Sequence, residues 1–353
     1  MEQFFTHSLM FWHLNHNHRE MPWKGEKNAY RIWLSEIILQ QTRVEQGLAY
    51  YYRFIHQYPT VLDLANANDQ DVFKLWEGLG YYNRCKNLLH AARTIVSNHG
   101  GVFPSTYEEI IRLKGVGPYT AAAISSFAFQ LPYAVVDGNV FRVLSRYFNI
   151  NTAIDSTKGK EIFLSLAEKV LDKKDPGLYN QAIMDLGATI CKPFLANCFN
   201  CPLQKKCQAF AKGTVQNLPI KEKRLQKKIR MFNYFIFDYK GAYYVQQRIA
   251  KDIWENLFEY YLIESSDQVN WDVENIQACL SGQLGIKTAV VTSISPLLKQ
   301  QLTHQQIKAR FIQIQLTQKP TSLKKENWYT FKDVQKLPFP KIILQWIEQT
   351  TGI

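Results

Sequence analysis

The chain has 353 residues, 46% of them hydrophobic and 20% charged, which is ordinary for a folded protein long enough to form two domains. Its 42 lysines and arginines outnumber its 30 aspartates and glutamates and give a formal charge of +12. It has no run of roughly 18 apolar residues and no secretory leader pattern at its N-terminus. We therefore expect a soluble, cytoplasmic protein that does not enter a membrane. A charge of this size is expected of a nucleic-acid-binding protein, but it is equally compatible with a basic protein that has no such partner.

The first part of the chain shows helical periodicity. Apolar residues recur at helical spacing from residue 4 to about residue 211, for example in RIWLSEIILQQT, VFKLWEGL, NLLHAARTIV and VFRVLSRYF. Proline and glycine separate these segments. The pattern predicts an all-α domain over residues 1–213.

The amino-acid composition then changes along the chain. Residues 214–229 have little apolar content and many lysines, which is typical of a solvated linker and also suits contact with phosphate. From residue 230 the segments MFNYFIFDY, GAYYVQQR and ARFIQIQL are rich in β-branched and aromatic residues and predict strands. We therefore predict a second, α+β domain over residues 230–353.

Glu36 lies within the predicted helix RIWLSEIILQQ. Helical spacing places Ile32, Trp33, Leu39 and Gln40 around it. A carboxyl group in such surroundings tends to keep its proton near neutral pH and can then act as a general acid. A glutamate in a helix is more often a solvated surface residue, so the residues alone leave both interpretations open.

The segment LKGVGPYTAAAI places two glycines, Gly115 and Gly117, at the start of a predicted helix. Two glycines allow a tight turn, and the free N–H groups of the helix start can then face an anion. With Lys114 in the turn of a basic chain, the helix-hairpin-helix predicts a sequence-independent grip on DNA phosphate. A plain turn between two helices is the alternative.

Asp137, in VVDGN, immediately precedes another predicted helix. An aspartate in this position is commonly an N-cap.

The segment CKPFLANCFNCPLQKKC contains four of the six cysteines of the chain, separated by six, two and five residues. In a reducing compartment such a run is more often a metal site than a disulfide framework. Four thiolates without a histidine suit an iron-sulfur cluster, while a structural zinc ion with four cysteine ligands stays open on spacing alone. The four candidate ligands are Cys191, Cys198, Cys201 and Cys207.

Together, LKGVGPYTAAAI, VVDGNVFRVLSRYF and the cysteine run resemble the endonuclease III superfamily of DNA glycosylases. Within that superfamily SEIILQQTRV, GLGYYNRCKNL, GPYTA and MDLGATIC are similar to the adenine DNA glycosylase (MutY) branch. The match spans nearly the whole helical domain, and the motifs follow in the order that the family has. The resemblance implies a helix-hairpin-helix glycosylase domain with a [4Fe-4S] cluster held by the four cysteines.

The resemblance also implies catalytic roles for four residues. Glu36 would protonate the adenine, and an ionised Asp137 would offset the positive charge that develops on the sugar. Asn139 would orient groups in the same turn, and Tyr119 would border the pocket. Bifunctional relatives have a lysine where this chain has Tyr119, so a phenol there implies a monofunctional hydrolase that forms no Schiff base.

The resemblance also implies which residues contact the DNA around the extruded adenine. An adenine must leave the duplex before it can be cleaved, and the gap must be filled. Gln41, with Thr42 beside it, and Tyr81 match the wedge residues of the family. Trp23 and Lys24 fall where the family has a tryptophan followed by an arginine at the pocket entrance, so Lys24 is a departure.

The C-terminal domain faintly resembles the Nudix-like domain of the family in YYVQQRIAKDIWENLFEYYLIE. The Nudix hydrolase box is missing from the sequence, which implies binding rather than hydrolysis. In the family a Phe-Ser-His loop of this domain reads 8-oxoguanine, and the nearest match here is Leu302, Thr303 and His304. Thr303 keeps a hydroxyl that can hydrogen-bond a base edge, whereas Leu302 lacks the aromatic ring.

The resemblance thus implies a monofunctional adenine DNA glycosylase of base excision repair. It would act as a monomer on double-stranded DNA containing 8-oxoguanine:A or G:A mispairs and leave an abasic site. One alternative is a thymine or oxidised-pyrimidine glycosylase of the same superfamily. Another is a noncatalytic iron-sulfur protein that binds DNA or transfers electrons, against which Glu36 and Asp137 argue because a binder needs neither.

Overall fold

The computed structural model of the chain describes residues 1–222, 227–266 and 269–351. The chain divides into two compact units, one of Met1–Asn66 with Lys86–Arg224 and the other of Ala67–Cys85 with Leu225–Ile353. The first unit is helical and the second contains a mixed sheet, so the predicted order of an all-α part and an α+β part is confirmed. The segment 67–85, which the sequence places in the helical domain, groups with the C-terminal residues.

Twelve α-helices precede the sheet within the described residues. Most begin at a residue whose side chain caps the first turn, as Asn28, Asn68, Asp137 and Asp175 do. The helices are α1 (Glu2–His16), α2 (Ala29–Leu39), α3 (Val44–Gln57), α4 (Val61–Asn66), α5 (Asp69–Trp76), α6 (Asn83–His99), α7 (Tyr107–Ile110), α8 (Pro118–Phe129), α9 (Gly138–Phe148), α10 (Thr157–Val170), α11 (Pro176–Thr189) and α12 (Gln208–Ala211).

The hydrophobic core of the first unit includes side chains from α1, α9, α10 and α11. Phe5, Leu144, Phe163 and Leu186 are each fully buried in it. Helices α9 and α11 approach so closely that a Cβ at Gly187 would lie 2.6 Å from the Cβ of Asn139. Only glycine leaves enough room at this crossing, which holds the first turn of α9 against α11.

The strands of the second unit in the described residues are β1 (Lys228–Tyr239), β2 (Ala242–Tyr244), β3 (Gln246–Gln247), β4 (Phe258–Glu259), β5 (Tyr261–Ser265), β6 (Ala289–Ile294), β7 (Leu298–Gln301), β8 (Gln305–Leu316) and β9 (Trp328–Thr330). Seven of them form a mixed sheet in which β6, β8, β1, β2 and β9 lie in this order, while β5 pairs with β1 and β7 with β8. The two long central strands run parallel, with Phe235 opposite Ile312. Helices α13 (Val273–Leu284), α14 (Phe331–Val334) and α15 (Lys341–Thr351) complete the unit. Strands β3 and β4 form a separate pair.

The predicted linker is only partly solvated. Leu218 is 3% exposed, and its carbonyl accepts a hydrogen bond from Arg146 of α9 at 3.0 Å. Residues 223–226 of the predicted linker lie outside the described residues. The division at residues 213 and 230 stays a prediction.

No helix of the described ranges combines the length and apolar character that a membrane crossing needs.

Candidate active site

A cavity of about 390 Å³ lies in the first unit at the end of α2 and the starts of α8 and α9. This volume falls in the range of roughly 300 to 1,000 Å³ that is usual for small-ligand sites. We call it the base pocket. The predicted site residues that line it are Trp23, Glu36, Gln41, Thr42, Tyr119, Asp137 and Asn139.

Glu36 is buried in the wall of the base pocket, with only 7% of its surface exposed. It belongs to a run of seven buried residues, 32–38, which excludes the interpretation of a solvated surface glutamate. The pKa of Glu36 is raised to about 7, mainly by burial; a hydrogen bond from Tyr119 lowers it, and the nearby Asp137 raises it. A carboxyl with such a pKa can donate a proton near neutral pH.

Asp137 is both an N-cap and a pocket residue. One of its oxygens accepts the Val140 N–H at 2.7 Å, and the other accepts the Asn139 side-chain amide at 2.7 Å. Burial raises the pKa of Asp137, while these hydrogen bonds and the positive charge of Arg142 lower it. The N-cap therefore fixes the orientation of a carboxylate at the pocket.

Arg142 connects this turn to the cysteine segment, a feature that the sequence interpretation missed. Its guanidinium donates to the side-chain oxygen of Asn139 at 2.8 Å, to the Gly187 carbonyl at 2.7 Å and to the Cys191 carbonyl at 2.7 Å. Because it is buried and has three firm acceptors, it fixes the position of Asn139.

Asp185 is a second buried residue that sequence reasoning missed. Its side chain is fully buried and accepts hydrogen bonds from Arg19 at 2.7 Å, Lys24 at 3.3 Å, Asn17 at 2.8 Å and Gln181 at 2.9 Å. Arg19 and Gln181 line the base pocket, so Asp185 holds part of its wall. Lys24 itself does not line the base pocket.

The helix-hairpin-helix has the geometry that the two glycines predict. Gly115 has a φ of +81°, and a Cβ there would lie 2.6 Å from that of Asn87. Gly117 is the N-cap of α8, where no side chain caps the helix, and Lys114 is exposed. The hairpin therefore presents backbone N–H groups beside an exposed cation.

The two predicted wedge residues share an uncommon backbone conformation. Gln41 has a φ of 55° and Tyr81 a φ of 50°, the left-handed region that residues other than glycine seldom occupy. Both side chains are exposed, Tyr81 by 44%. Strained backbone of this kind is frequent at functional positions.

Tyr81 belongs to the second unit and lies next to Thr303. Their hydroxyl groups are 2.5 Å apart. Thr303 and His304 occupy the turn between β7 and β8, where the His304 carbonyl accepts the Lys228 N–H at 3.0 Å. The structure therefore places a predicted wedge residue beside the predicted reading loop.

The four cysteines line one cavity with Arg146. The Arg146 guanidinium donates to the Cys191 Sγ at 3.4 Å and to the carbonyls of Lys192 and Pro193. Burial raises the pKa of Cys201 to about 12, so cluster binding must displace its proton. In the ranges the structure describes, no three histidine, cysteine, aspartate or glutamate side chains are arranged to hold a single metal ion. Four soft donors in one cavity beside a buried cation fit an iron-sulfur cluster chemically.

Family comparisons agree with the order of these two units. Residues 34–169 match the family described as HhH-GPD superfamily base excision DNA repair protein, and residues 233–349 match the NUDIX domain. The fold is that of a helix-hairpin-helix DNA glycosylase with a C-terminal Nudix-like domain, as predicted.

Similarity to curated proteins indicates which family of DNA glycosylases the chain belongs to. The chain is 33% identical to the adenine DNA glycosylase of Buchnera aphidicola subsp. Acyrthosiphon pisum, over 78% of this chain and 80% of that protein. It is 40% identical to the adenine DNA glycosylase of Mus musculus, over 61% of this chain and 44% of that protein. The chain therefore belongs to the adenine DNA glycosylase family.

Solved structures support the same fold. The chain is similar to a thermostable thymine-DNA glycosylase, with 28% identity, a TM-score of 0.56 and coverage of 60% of this chain and 97% of the other. It also matches endonuclease III in a non-covalent DNA complex, with a TM-score of 0.52, 22% identity and coverage of 60% and 98%. The second likeness concerns the fold alone.

Proposed function

We propose that this glycosylase removes adenine mispaired with 8-oxoguanine or guanine from double-stranded DNA and leaves an abasic site. The observation that carries the proposal is the base pocket, in which a buried Glu36 with a raised pKa lies with Asp137, Asn139 and Tyr119. One acid and one oriented carboxylate are the two groups that glycosidic cleavage needs.

In this mechanism Glu36 donates its proton to the extruded adenine. The bond between the base nitrogen and the sugar carbon then breaks, and its electron pair leaves with the base. Asp137 stabilises the positive charge on the sugar, by electrostatics or by transient covalent capture. Water finally adds to the sugar carbon and loses a proton to one of the two pocket carboxylates.

Asn139 and Tyr119 hold the two carboxyl groups in position. The Asn139 amide donates to Asp137, and Arg142 in turn binds the Asn139 oxygen. Tyr119 hydrogen-bonds Glu36, and burial raises the pKa of Tyr119 well above its usual value. A neutral phenol cannot form a Schiff base with the sugar, which supports a monofunctional reaction.

Cys191, Cys198, Cys201 and Cys207 would hold a [4Fe-4S] cluster. Its role would be to fold the loop that these cysteines cross-link, since metal binding to a preformed donor set contributes to folding stability. Within the chain, Arg142 and Arg146 attach this loop to α9.

Contacts with the rest of the DNA follow from charge and backbone geometry. Lys114, Gly115 and Gly117 would grip a phosphate. Gln41, Thr42 and Tyr81 would fill the space that the extruded adenine leaves, with Trp23 beside the base and Lys24 at the pocket entrance. Thr303 and His304 would read the opposite base. The protein would act as an intracellular monomer, with the catalytic part in residues 1–213, a linker in residues 214–229 and the reading part in residues 230–353.

A single-turnover assay on a panel of duplexes tests the proposal. Adenine release from 8-oxoguanine:A and G:A, with no release of thymine from G:T and no strand cleavage, is the expected result. Release of thymine instead would favour the thymine glycosylase alternative, which the likeness to the thermostable enzyme makes worth including.

A further inference from the structure

A second cavity, of about 150 Å³, also has Glu36 in its wall. It is lined by one face of α2, by the segment 23–27 and by the start of α11. Trp23, Glu36 and Gln181 line this cavity and the base pocket alike. Glu36 therefore has one side toward the base and another toward this space, which we call the back cavity.

The back cavity extends from the core to the surface. Its inner wall includes Ser35, only 1% exposed, whereas Gly25 and Lys27 of its outer rim are exposed. It has room for about five waters at roughly 30 Å³ each. Lys27 and Asp175 at the rim are joined through Gln130, which accepts from one and donates to the other. Polar groups and this volume are what a chain of waters requires.

A chain of waters from Glu36 to solvent matters because bound DNA closes the other side of this carboxyl group during the reaction. If Glu36 is the acid, as the proposed function has it, then an adenine in the base pocket occupies that side of the carboxyl group. After protonating the base, Glu36 is a buried carboxylate under bound DNA. We propose that the back cavity is a water-filled proton path that lets Glu36 exchange protons with solvent while DNA is bound.

The charged and titratable groups around Glu36 are spread over both cavities. On the pocket side they are Tyr119, Asp137 and Arg19. Around the back cavity they are Lys24, Glu26, Lys27 and Asp175. The cavity variants described next leave all of these charged and titratable groups in place and change only the space between them.

A pH-jump experiment separates the proton path from the chemistry. Enzyme in excess is bound to an 8-oxoguanine:A duplex at about pH 8.5 and then shifted to about pH 6.5 together with an unlabelled duplex as a trap. For an acid of pKa about 7 the protonated fraction rises about 25-fold in this step. The unmodified enzyme should accelerate by that factor without delay.

Two variants fill the back cavity from different helices, Leu178→Trp from α11 and Phe127→Trp from α8. Each should keep the slow rate of the first pH after the jump, yet match the unmodified enzyme when enzyme and DNA are equilibrated at about pH 6.5 before mixing. Leu178→Ala, which widens the cavity, and Leu164→Trp, on an exposed side of α10, should respond like the unmodified enzyme.

Prompt acceleration of both filled variants would overturn the proton path. So would slow cleavage by them in the equilibrated reaction, because the cavity wall would then shape the pocket instead of carrying protons. A failure of the proposed function looks different: the unmodified enzyme would then show no pH response, or Glu36→Gln would still release adenine.

Discussion

At the residue scale, Glu36 combines burial with two polar neighbours in a way that makes its proton available. We expect Glu36→Gln to slow adenine release at least 100-fold, about the lower end of what a general acid contributes. The amide fills the same space, so binding to the mispaired duplex should change only a few-fold. Single-turnover cleavage and duplex binding, measured side by side, check both parts. Near-normal cleavage by the variant would remove Glu36 from the mechanism.

The same burial makes Glu36 destabilising at alkaline pH. Its pKa is about 7 in the folded chain against an ordinary 4.5, so the folded state binds a proton that the unfolded state releases. The free energy of unfolding therefore falls as pH rises from about 4.5 to 7, by about 3 kcal/mol in all.

Glu36→Gln removes the loss of folding stability that ionisation of the buried carboxyl group causes. We expect the variant to be more stable than the unmodified protein at about pH 8, with the difference shrinking toward about pH 5. Urea unfolding of both proteins across this range measures it. A difference that is the same at every pH would show that the gain comes from something other than ionisation.

At the element scale, the crossing of α9 and α11 sets the position of Asn139 and, through it, of Asp137. An alanine at Gly187 would place its Cβ 2.6 Å from the Cβ of Asn139 and 3.1 Å from its Cα, so the first turn of α9 must shift. We expect Gly187→Ala to slow adenine release about 10- to 100-fold, as small misplacements of catalytic groups do.

Gly282 in α13 provides the matched control for this substitution. A Cβ there meets nothing within 4 Å, and alanine favours a helix more than glycine does. Gly282→Ala should leave cleavage unchanged. Equal activity of the two variants would show that the crossing tolerates a methyl group and that Asn139 does not need this spacing.

The cysteine segment is held by Arg142 and Arg146 on one face of α9, so losing a cluster ligand should affect folding first. We expect the purified protein to be brown with about four irons per chain, and Cys198→Ser to lower both iron content and soluble yield. Cys279→Ser, at a lone cysteine in α13, should change neither. A colourless, zinc-loaded and fully active protein would contradict the cluster.

At the scale of the whole molecule, short motifs and the family resemblance that they carry predicted the order of the two folds and seven of the residues that line the base pocket. Helical spacing left Glu36 open between a buried acid and a surface residue, and the position of Asp137 before a helix indicated an N-cap. The family resemblance of the motifs around them singled out both residues. Such features depend on residues a few positions apart. They need no knowledge of how distant segments pack.

Features built from distant segments could not be predicted in this way. Asp185 binds Arg19 across 166 positions of sequence, and periodicity says nothing about such pairings. Arg142 reads as an ordinary helix residue until α11 and the cysteine segment are placed around it. The helical periodicity of the sequence assigns α5 to the helical domain, but α5 groups with C-terminal residues. In that unit Lys74 donates to the Leu337 carbonyl at 3.1 Å.

This grouping changes how opposite-base reading is best tested. A chain truncated near residue 213 would also remove the partners of residues 67–85, so a single substitution in the whole chain is cleaner. 8-Oxoguanine differs from guanine by a carbonyl at C8 and an N7–H donor, and a well-placed hydroxyl can discriminate by roughly 1 to 3 kcal/mol. Thr303→Val keeps the shape of the side chain and removes its hydroxyl. We expect it to slow 8-oxoguanine:A cleavage about 5- to 150-fold while G:A cleavage changes little.

Tyr81→Phe distinguishes reading by Thr303 from support by Tyr81. The two hydroxyl groups are hydrogen-bonded to each other. If Thr303 needs this partner in order to face the base, Tyr81→Phe should also lose part of the enzyme's preference for 8-oxoguanine:A. If Thr303 reads the lesion alone, Tyr81→Phe should keep the preference and Thr303→Val should lose it. Single-turnover rates on both duplexes, for both variants and for His304→Ala, decide between these cases. Should all three variants keep the full preference for 8-oxoguanine:A, the turn between β7 and β8 does not read the opposite base, and Gln41 with Thr42 becomes the next site to test.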